Sequence, residues 1–151
     1  AIAMLARIAV EHPEDLAVAA DLAKLLSLAG RTGEALGLLS ALPMPARTSH
    51  GIAHLLSHLE LLDAARNGPD DPEAGLAADV ANHGARLTLA ARALFDNQEE
   101  IALAQLLELA QLAPGFRDDI GRRALIALFA TLGPEHELTR RFRAALAALN
   151  A

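Results

Sequence analysis

The feature that most restricts the fold is an internal repeat. Leu22-Ala23 is followed by Gly30, Ala35, Leu36 and Leu39, and Leu89-Ala90 is followed at the same offsets by Asn97, Ala102, Leu103 and Leu106. The copies stand 67 residues apart, close to two periods of about 34, and a period of that size marks a stack of similar supersecondary units. Leu109 and Pro114 continue the second copy with an apolar residue and a terminating proline. Ala1, Leu5, Ile8 and Pro13 carry the mutual spacing of Ala102, Leu106, Leu109 and Pro114. The first segment therefore reads as the back half of a preceding unit.

Composition decides what the units are made of. The 151 residues include 35 Ala and 30 Leu, against three Val and six Ile. Strong helix formers dominate, and β-branched residues are too few for a sizeable sheet, so the chain is expected to be all-α. Hydrophobic residues make up 53%, yet no apolar run reaches the ~18 residues that a membrane helix needs. The apolar excess must be buried between helices, and abundant Ala lets their axes approach closely. A net charge of −6 argues against nucleic acid, which would call for a basic surface. Cys, Trp and Tyr are absent, which excludes disulfides, thiol catalysis and cysteine-ligated metal within these residues. The helical pattern begins at Ala1, with no Met or targeting segment before it, so the chain reads as a fragment of a longer protein.

Seven prolines and most of the ten glycines are expected between helices, as punctuation. Pro13 ends a first helix over 1–10, and Glu14 and Asp15 give an acidic first turn to a helix reaching Leu28. Gly30 is placed just past its end, as a C′ residue. Thr32 is expected to cap a helix over 33–42, which stops before Pro43 and Pro45. Further helices are expected over 49–66, 72–81 and 84–95. Asn97 with Glu100 forms a capping-box signature for a helix to Leu112. Helices over 117–132 and 135–149 complete a set of nine. The links are short, so consecutive helices should form antiparallel hairpins.

The pattern resembles the tetratricopeptide repeat, in which a small residue midway along each helix permits close crossing and a proline ends the unit. Leu or Ala fills the aromatic positions here. The resemblance implies an all-α, tetratricopeptide-like superhelix of stacked antiparallel helical hairpins, forming one domain over 1–151. Its parts would be the second helix of a truncated repeat (1–13), a repeat (14–47), a degenerate repeat (48–81), a repeat (82–115) and a C-terminal helical hairpin (116–151).

The last third carries a more specific likeness. Phe116, Asp118, Arg122, Arg123, Leu125, Phe129, Leu132, Gly133, Phe142 and Arg143 fill the places of an aromatic and Asp-containing turn, a basic helix ending in Phe-x-x-Leu-Gly, and a final aromatic-Arg helix. That order is similar to the C-terminal tail of the bacterial chaperedoxins, thioredoxin-like co-chaperones with a tetratricopeptide tail behind a thioredoxin-fold domain. Phe116 replaces the usual Trp, Phe142 the usual Tyr, and Ala144 one arginine. The thioredoxin-fold domain is not in this sequence. The resemblance implies a cytoplasmic, non-catalytic tail that holds unfolding clients and passes them to the chaperonin and the Hsp70 system, with its last helix in chaperonin contact.

Candidate sites follow from charge and spacing. Arg140, Arg141 and Arg143 make the last helix basic, which suits an acidic partner surface, and the resemblance implies that these residues are protein-binding. Residues 116–151 hold six Arg and four acids (net +2), whereas residues 1–115 hold seven bases and fifteen acids (net −8). The plain alternative is helix stabilisation through acid-first i,i+4 pairs at Asp118–Arg122, Asp119–Arg123 and Glu137–Arg141, each contributing about 0.2–0.5 kcal/mol. His50, His54 and His58 share one helix face. No carboxylate joins that stripe, so a solvated polar face is expected and no metal or other cofactor is assigned. Asp70-Asp71, Glu99-Glu100 and Asp118-Asp119 fall where first helical turns favour negative charge. A single lysine, Lys24, leaves no basis for a lysine-rich carboxylate clamp. No nucleotide-binding, hydrolase or metalloprotease motif occurs, and a non-catalytic role is expected. A general repeat scaffold of another bacterial assembly, or an enzyme's accessory domain, are the alternatives to the co-chaperone tail.

Overall fold

The computed structural model describes residues 1–149, apart from the side chain of His50. Among the described residues there are ten helices and no strand. They fall into two compact units, Ala1–Glu60 and Leu61–Ala151.

The first unit holds α1 (Ile2–Glu11), α2 (Leu16–Leu28), α3 (Thr32–Ser40), the short α4 (Met44–Arg47) and the first part of α5 (His50–Asn67). Its core joins Leu22, Ala23 and Leu26 of α2 to Ala35 and Leu39 of α3 and to Ile52 and Leu59 of α5. α1 lies on α2 and lends Ile2, Leu5, Ala6 and Ala9 to the edge of this core. Met4 and Val10 remain 68% and 81% exposed, so one face of α1 is left uncovered. Asp15 caps α2 by accepting from the amides of Ala17 and Val18 at 3.1 and 3.3 Å, which satisfies two donors that the first turn otherwise strands.

The second unit holds the rest of α5 with α6 (Pro72–Ala78), α7 (His83–Phe95), α8 (Glu99–Leu112), α9 (Ile120–Leu132) and α10 (Glu137–Leu149). α6 packs on α7, α7 on α8 and α8 on α9, while α10 touches both α8 and α9. Leu87, Ala90 and Ala91 of α7 meet Leu103, Leu106 and Leu109 of α8 and Ile120, Ala124 and Leu125 of α9 in one core. Three-residue links force α2 with α3, and α7 with α8, to run antiparallel.

Residue by residue, the two hairpins correspond as the spacing predicts. Ala23 and Ala90, Ala35 and Ala102, and Leu39 and Leu106 are all almost wholly buried. Gly30 and Asn97 both take left-handed backbone, at φ +78° and +60°. The following amides, of Arg31 and Gln98, each donate to the carbonyl five residues back, Leu26 or Ala93, at 2.8 Å, as in a Schellman turn. Asn97 thus ends α7 instead of capping α8, whose N-cap is Gln98. A left-handed residue closing one helix lies a residue too early to cap the next. Thr32 likewise sits inside α3, buried at its first turn, and Arg31 takes the cap position.

Other expectations shift for local reasons. Pro43 and Pro45 do not leave a plain loop: Pro45 falls in the first turn of α4, where the missing N–H is no loss. α9 begins at Ile120, not at 117, because Arg117, Asp118 and Asp119 are all left-handed (φ +47°, +54° and +60°). Arg123 braces that turn by donating from Nε to the Asp118 carbonyl at 2.7 Å and from Nη2 to the Arg117 carbonyl at 2.9 Å.

Six of the ten glycines lie inside helices, contrary to their expected role as breaks. Gly121 shows one reason. A Cβ there would stand 2.8 Å from the Ala110 nitrogen and 3.0 Å from the Leu106 carbonyl oxygen of α8, so α9 crosses α8 backbone against backbone. Gly68, just past α5, is held close for a different reason: a Cβ there would run into the side chain of the buried Thr88.

Candidate protein interface

α10 is amphipathic, and its two faces have different fates. Thr139, Phe142 and Leu146 are buried, with Phe142 and Leu146 joining the core beside α8 and α9. The arginines turn outward. Arg140 donates from Nη2 to Glu135 at 2.6 Å. Arg141 pairs with Glu100 of α8 and lies 4.8 Å from the Phe142 ring centroid. Arg143 lies 5.5 Å from the Phe129 ring centroid and, among the described residues, has no carboxylate partner. The expected Glu137–Arg141 pair thus gives way to a partner 41 residues distant in sequence. Asp118 and Asp119 precede α9, Asp119 as its N-cap, and both are left-handed, so any pairing of Arg122 and Arg123 with them spans the start of the helix instead of lying within it.

Beside Arg143, two adjoining hollows run along α9 and α10. One, of about 270 Å3, is lined by Arg122, Ile126, Phe129, Arg143 and Leu146. The other, of about 220 Å3, adds Gln111, Asp119 and Leu149 to Arg122 and Leu146. Arg122 and Leu146 belong to both; Arg143 edges the first, and the Asp119 carboxylate lies beside Arg122 in the second. Ile126 and Leu149 stay 42% and 38% exposed. The sequence marked the arginines of α10 as candidates and gave no sign of the hollows beside them beyond the pair of aromatics, Phe129 and Phe142, in a chain with four.

Elsewhere the expected features are distributed without converging. His54 is half-buried and His58 exposed on α5. Partial desolvation lowers the His58 pKa from its ordinary value; the side chain of His50 lies outside those described. No group of three His, Asp or Glu side chains among the described residues is placed to hold a metal. Asp71 caps α6 through the Ala74 amide at 3.0 Å, and Glu99 and Glu100 occupy the first turn of α8. Lys24 borders a separate, mainly apolar hollow of about 250 Å3 with Leu16, Ala20, Ile52 and Leu55.

Two arginines that sequence reasoning passed over act structurally. Arg86 is buried, with Nη1 on Gln105 Oε1 at 2.8 Å and Nη2 on the Val80 carbonyl at 3.4 Å. Arg92 reaches back to the end of α5, donating to the carbonyls of Ala65, Gly68 and Asp70 at 3.1–3.4 Å.

Antiparallel hairpins with equivalent buried small residues and equivalent turns define a helical repeat protein, a class whose stacked units present surface to other proteins. Family models described as tetratricopeptide repeat match residues 1–59 and residues 63–149. The chain belongs to the tetratricopeptide repeat family. No curated protein matches it. Repeats of this family are typically non-catalytic modules of protein–protein interaction, and no helix among the described residues is long and apolar enough to cross a membrane.

Proposed function

We propose that the chain is the tetratricopeptide tail of a bacterial, cytoplasmic, thioredoxin-like co-chaperone, which holds unfolding clients and docks on chaperonin, with the Hsp70 system as a further recipient. Its repeats are taken as 14–47, 48–81 and 82–115, preceded by the half-repeat 1–13 and closed by the hairpin 116–151. The observation that carries the proposal is the last helix: its apolar face packs on α8 and α9, and Arg140, Arg141 and Arg143 are exposed beside it, Arg141 reaching Glu100 of α8 and Arg143 the Phe129 ring of α9. These are the residues assigned to partner contact. A net +2 on 116–151 against −8 on the rest directs an acidic partner surface to this end, because complementary potentials steer encounter and fix register.

The family matches themselves carry only the repeat, and they favour equally a general scaffold of another assembly. Capture distinguishes the two. Immobilised chain should retain purified chaperonin and delay aggregation of a thermally unfolding client. Replacing Arg140, Arg141 and Arg143 together by Glu, at exposed positions that leave the core intact, should abolish chaperonin retention. Absence of both activities in the unsubstituted chain rejects the co-chaperone reading and leaves the scaffold; retention unaffected by the triple substitution removes the assignment to α10.

A further inference from the structure

The end of α5 holds a chemically labile pair. Of the four asparagines, only Asn67 precedes a glycine. Asn67 is the last residue of α5 and is exposed, and Pro69 follows two residues on, where it cannot continue the helix. Glycine at 68 is a packing requirement, because a Cβ would run into the Thr88 side chain and stand 2.5 Å from the Ala64 carbonyl oxygen. The same missing side chain removes the steric shield that another residue would give its own amide nitrogen. Two hydrogen bonds keep the pair inert while the helix is closed. The Gly68 amide donates to the Ala64 carbonyl at 3.0 Å, and Asn67 Nδ2 donates to Asp63 Oδ1 at 2.8 Å. Closing a five-membered ring between the two residues also needs a ψ at Asn67 outside the helical range. Arg92 of α7 fixes this stretch from both sides, holding the Ala65 carbonyl at 3.1 Å and those of Gly68 and Asp70 at 3.4 and 3.3 Å. Reaction therefore requires the last turn of α5 to open locally, and Arg92 opposes that opening.

We propose that Asn67–Gly68 is a self-modifying site, silent while Arg92 clamps the end of α5 and reactive when that turn opens. The Gly68 nitrogen attacks Asn67 Cγ: the N–Cγ bond forms, the Cγ–Nδ2 bond breaks, and the Gly68 amide proton leaves with Nδ2 as ammonia. Water then opens the cyclic imide at either carbonyl, giving aspartate or, with the chain rerouted through Cγ, isoaspartate. No oxidant, reductant or further reactant takes part. Isoaspartate lengthens the backbone by one carbon between residues 67 and 68 and adds a negative charge. It shifts the Gly68 and Asp70 carbonyls relative to that of Ala65, so Arg92 can no longer hold all three, and the joint between α5 and α7 loosens as the chain ages. The reaction does not depend on which partner the chain binds.

The test incubates the folded chain at mildly alkaline pH and follows residue 67 by mass spectrometry of the tryptic peptide 67–86, which also contains Asn82. Acid should accumulate at residue 67 ahead of Asn82 and Asn97, with isoaspartate separated from aspartate by chromatography. The urea-unfolded chain should convert faster than the folded one. Arg92→Ala should raise the folded rate roughly tenfold or more, the factor by which loss of a charged donor's hydrogen bonds shifts a local opening equilibrium. Leu39→Val, which loosens the core of the other compact unit, should leave the rate unchanged, and Asn67→Gln should abolish conversion. Circular dichroism checks that Arg92→Ala keeps its helices; if it does not, Arg92→Lys reads the same gate. The isoaspartate fraction should melt below both the fresh chain and Asn67→Asp, which carries the charge without the longer backbone. No acid at residue 67, or acid arising first at Asn82 or Asn97, would overturn the proposal. So would a rate that Arg92→Ala leaves unchanged or Leu39→Val raises equally, or isoaspartate melting together with Asn67→Asp.

Discussion

Gly121→Ala puts the close helix crossing to a quantitative test. Gly121 is buried in the first turns of α9, and an alanine Cβ would meet three backbone atoms of α8: Ala110 N at 2.8 Å, Leu106 O at 3.0 Å and Ala110 Cα at 3.2 Å. Backbone in the middle of a helix cannot rotate away as a side chain does, so α9 must move off α8. That motion loosens the contacts of Ile120, Ala124 and Leu125, all wholly buried. Overpacking of this kind costs about 1–3 kcal/mol. Helix propensity works in the opposite direction, since Ala is better than Gly in a helix interior by about 0.5–1 kcal/mol. The net expectation is a loss of about 1–2 kcal/mol, or roughly 2–8 °C in Tm at this chain length. Gly37→Ala in α3 is the control, because nothing lies within 4 Å of its added Cβ. There only the propensity gain remains, and the variant should be more stable by about 0.5–1 kcal/mol. Urea and thermal unfolding followed by far-UV circular dichroism measures both. A Gly121→Ala variant as stabilised as Gly37→Ala would refute the backbone-to-backbone crossing.

Three further outcomes follow from the same structure. Arg92→Ala removes donors from the carbonyl of Ala65 in the last turn of α5 and from those of Gly68 and Asp70 just beyond it and should cost about 1.5–3 kcal/mol by urea denaturation; an unchanged midpoint would show that the clamp contributes nothing. Asn97→Ala, at φ +60°, should lose about 1–2 kcal/mol, whereas Asn97→Gly should gain up to about 1 kcal/mol. Equal stability of the two variants would contradict the left-handed turn. Because the folded His58 pKa is lowered by desolvation from its ordinary 6.5, its neutral form is favoured by folding. Its contribution is complete above pH 6.5 and is lost as pH falls through the depressed folded value. His58→Gln should flatten the decline in stability over that acid range, and an unchanged pH profile would disprove the assignment.

The hairpin order was legible because burial in a stacked helix pair selects residue size at fixed spacing. Ala23, Ala35 and Leu39 recur as Ala90, Ala102 and Leu106, and each copy is buried. Turn chemistry was less legible. Asn favours both helix caps and left-handed backbone, so Asn97 fitted either role until its amide neighbours were located. The run Arg117–Asp119 carries no glycine, and its left-handed backbone depends on support from Arg123, a contact that local propensity does not encode. The candidate interface was half legible. Charge asymmetry marked α10, but the Arg141–Glu100 pair joins helices 41 residues apart in sequence. The hollows depend on the placement of Ile126 and Phe129 against Arg143, which requires the packing of α9 on α10 and not merely the period of either helix. Gly121 was obscured for a related reason: glycine ordinarily breaks a helix, and only the nearness of α8 shows why one is kept within α9.

Hydrogen exchange on the intact chain, with and without purified chaperonin, examines the proposed role most directly. The account predicts added protection concentrated in 116–149, strongest along α10 and the facing turns of α9, and its disappearance when Arg140, Arg141 and Arg143 are replaced by Glu. Protection confined to residues 1–60, or no change at all on addition of chaperonin, would contradict it.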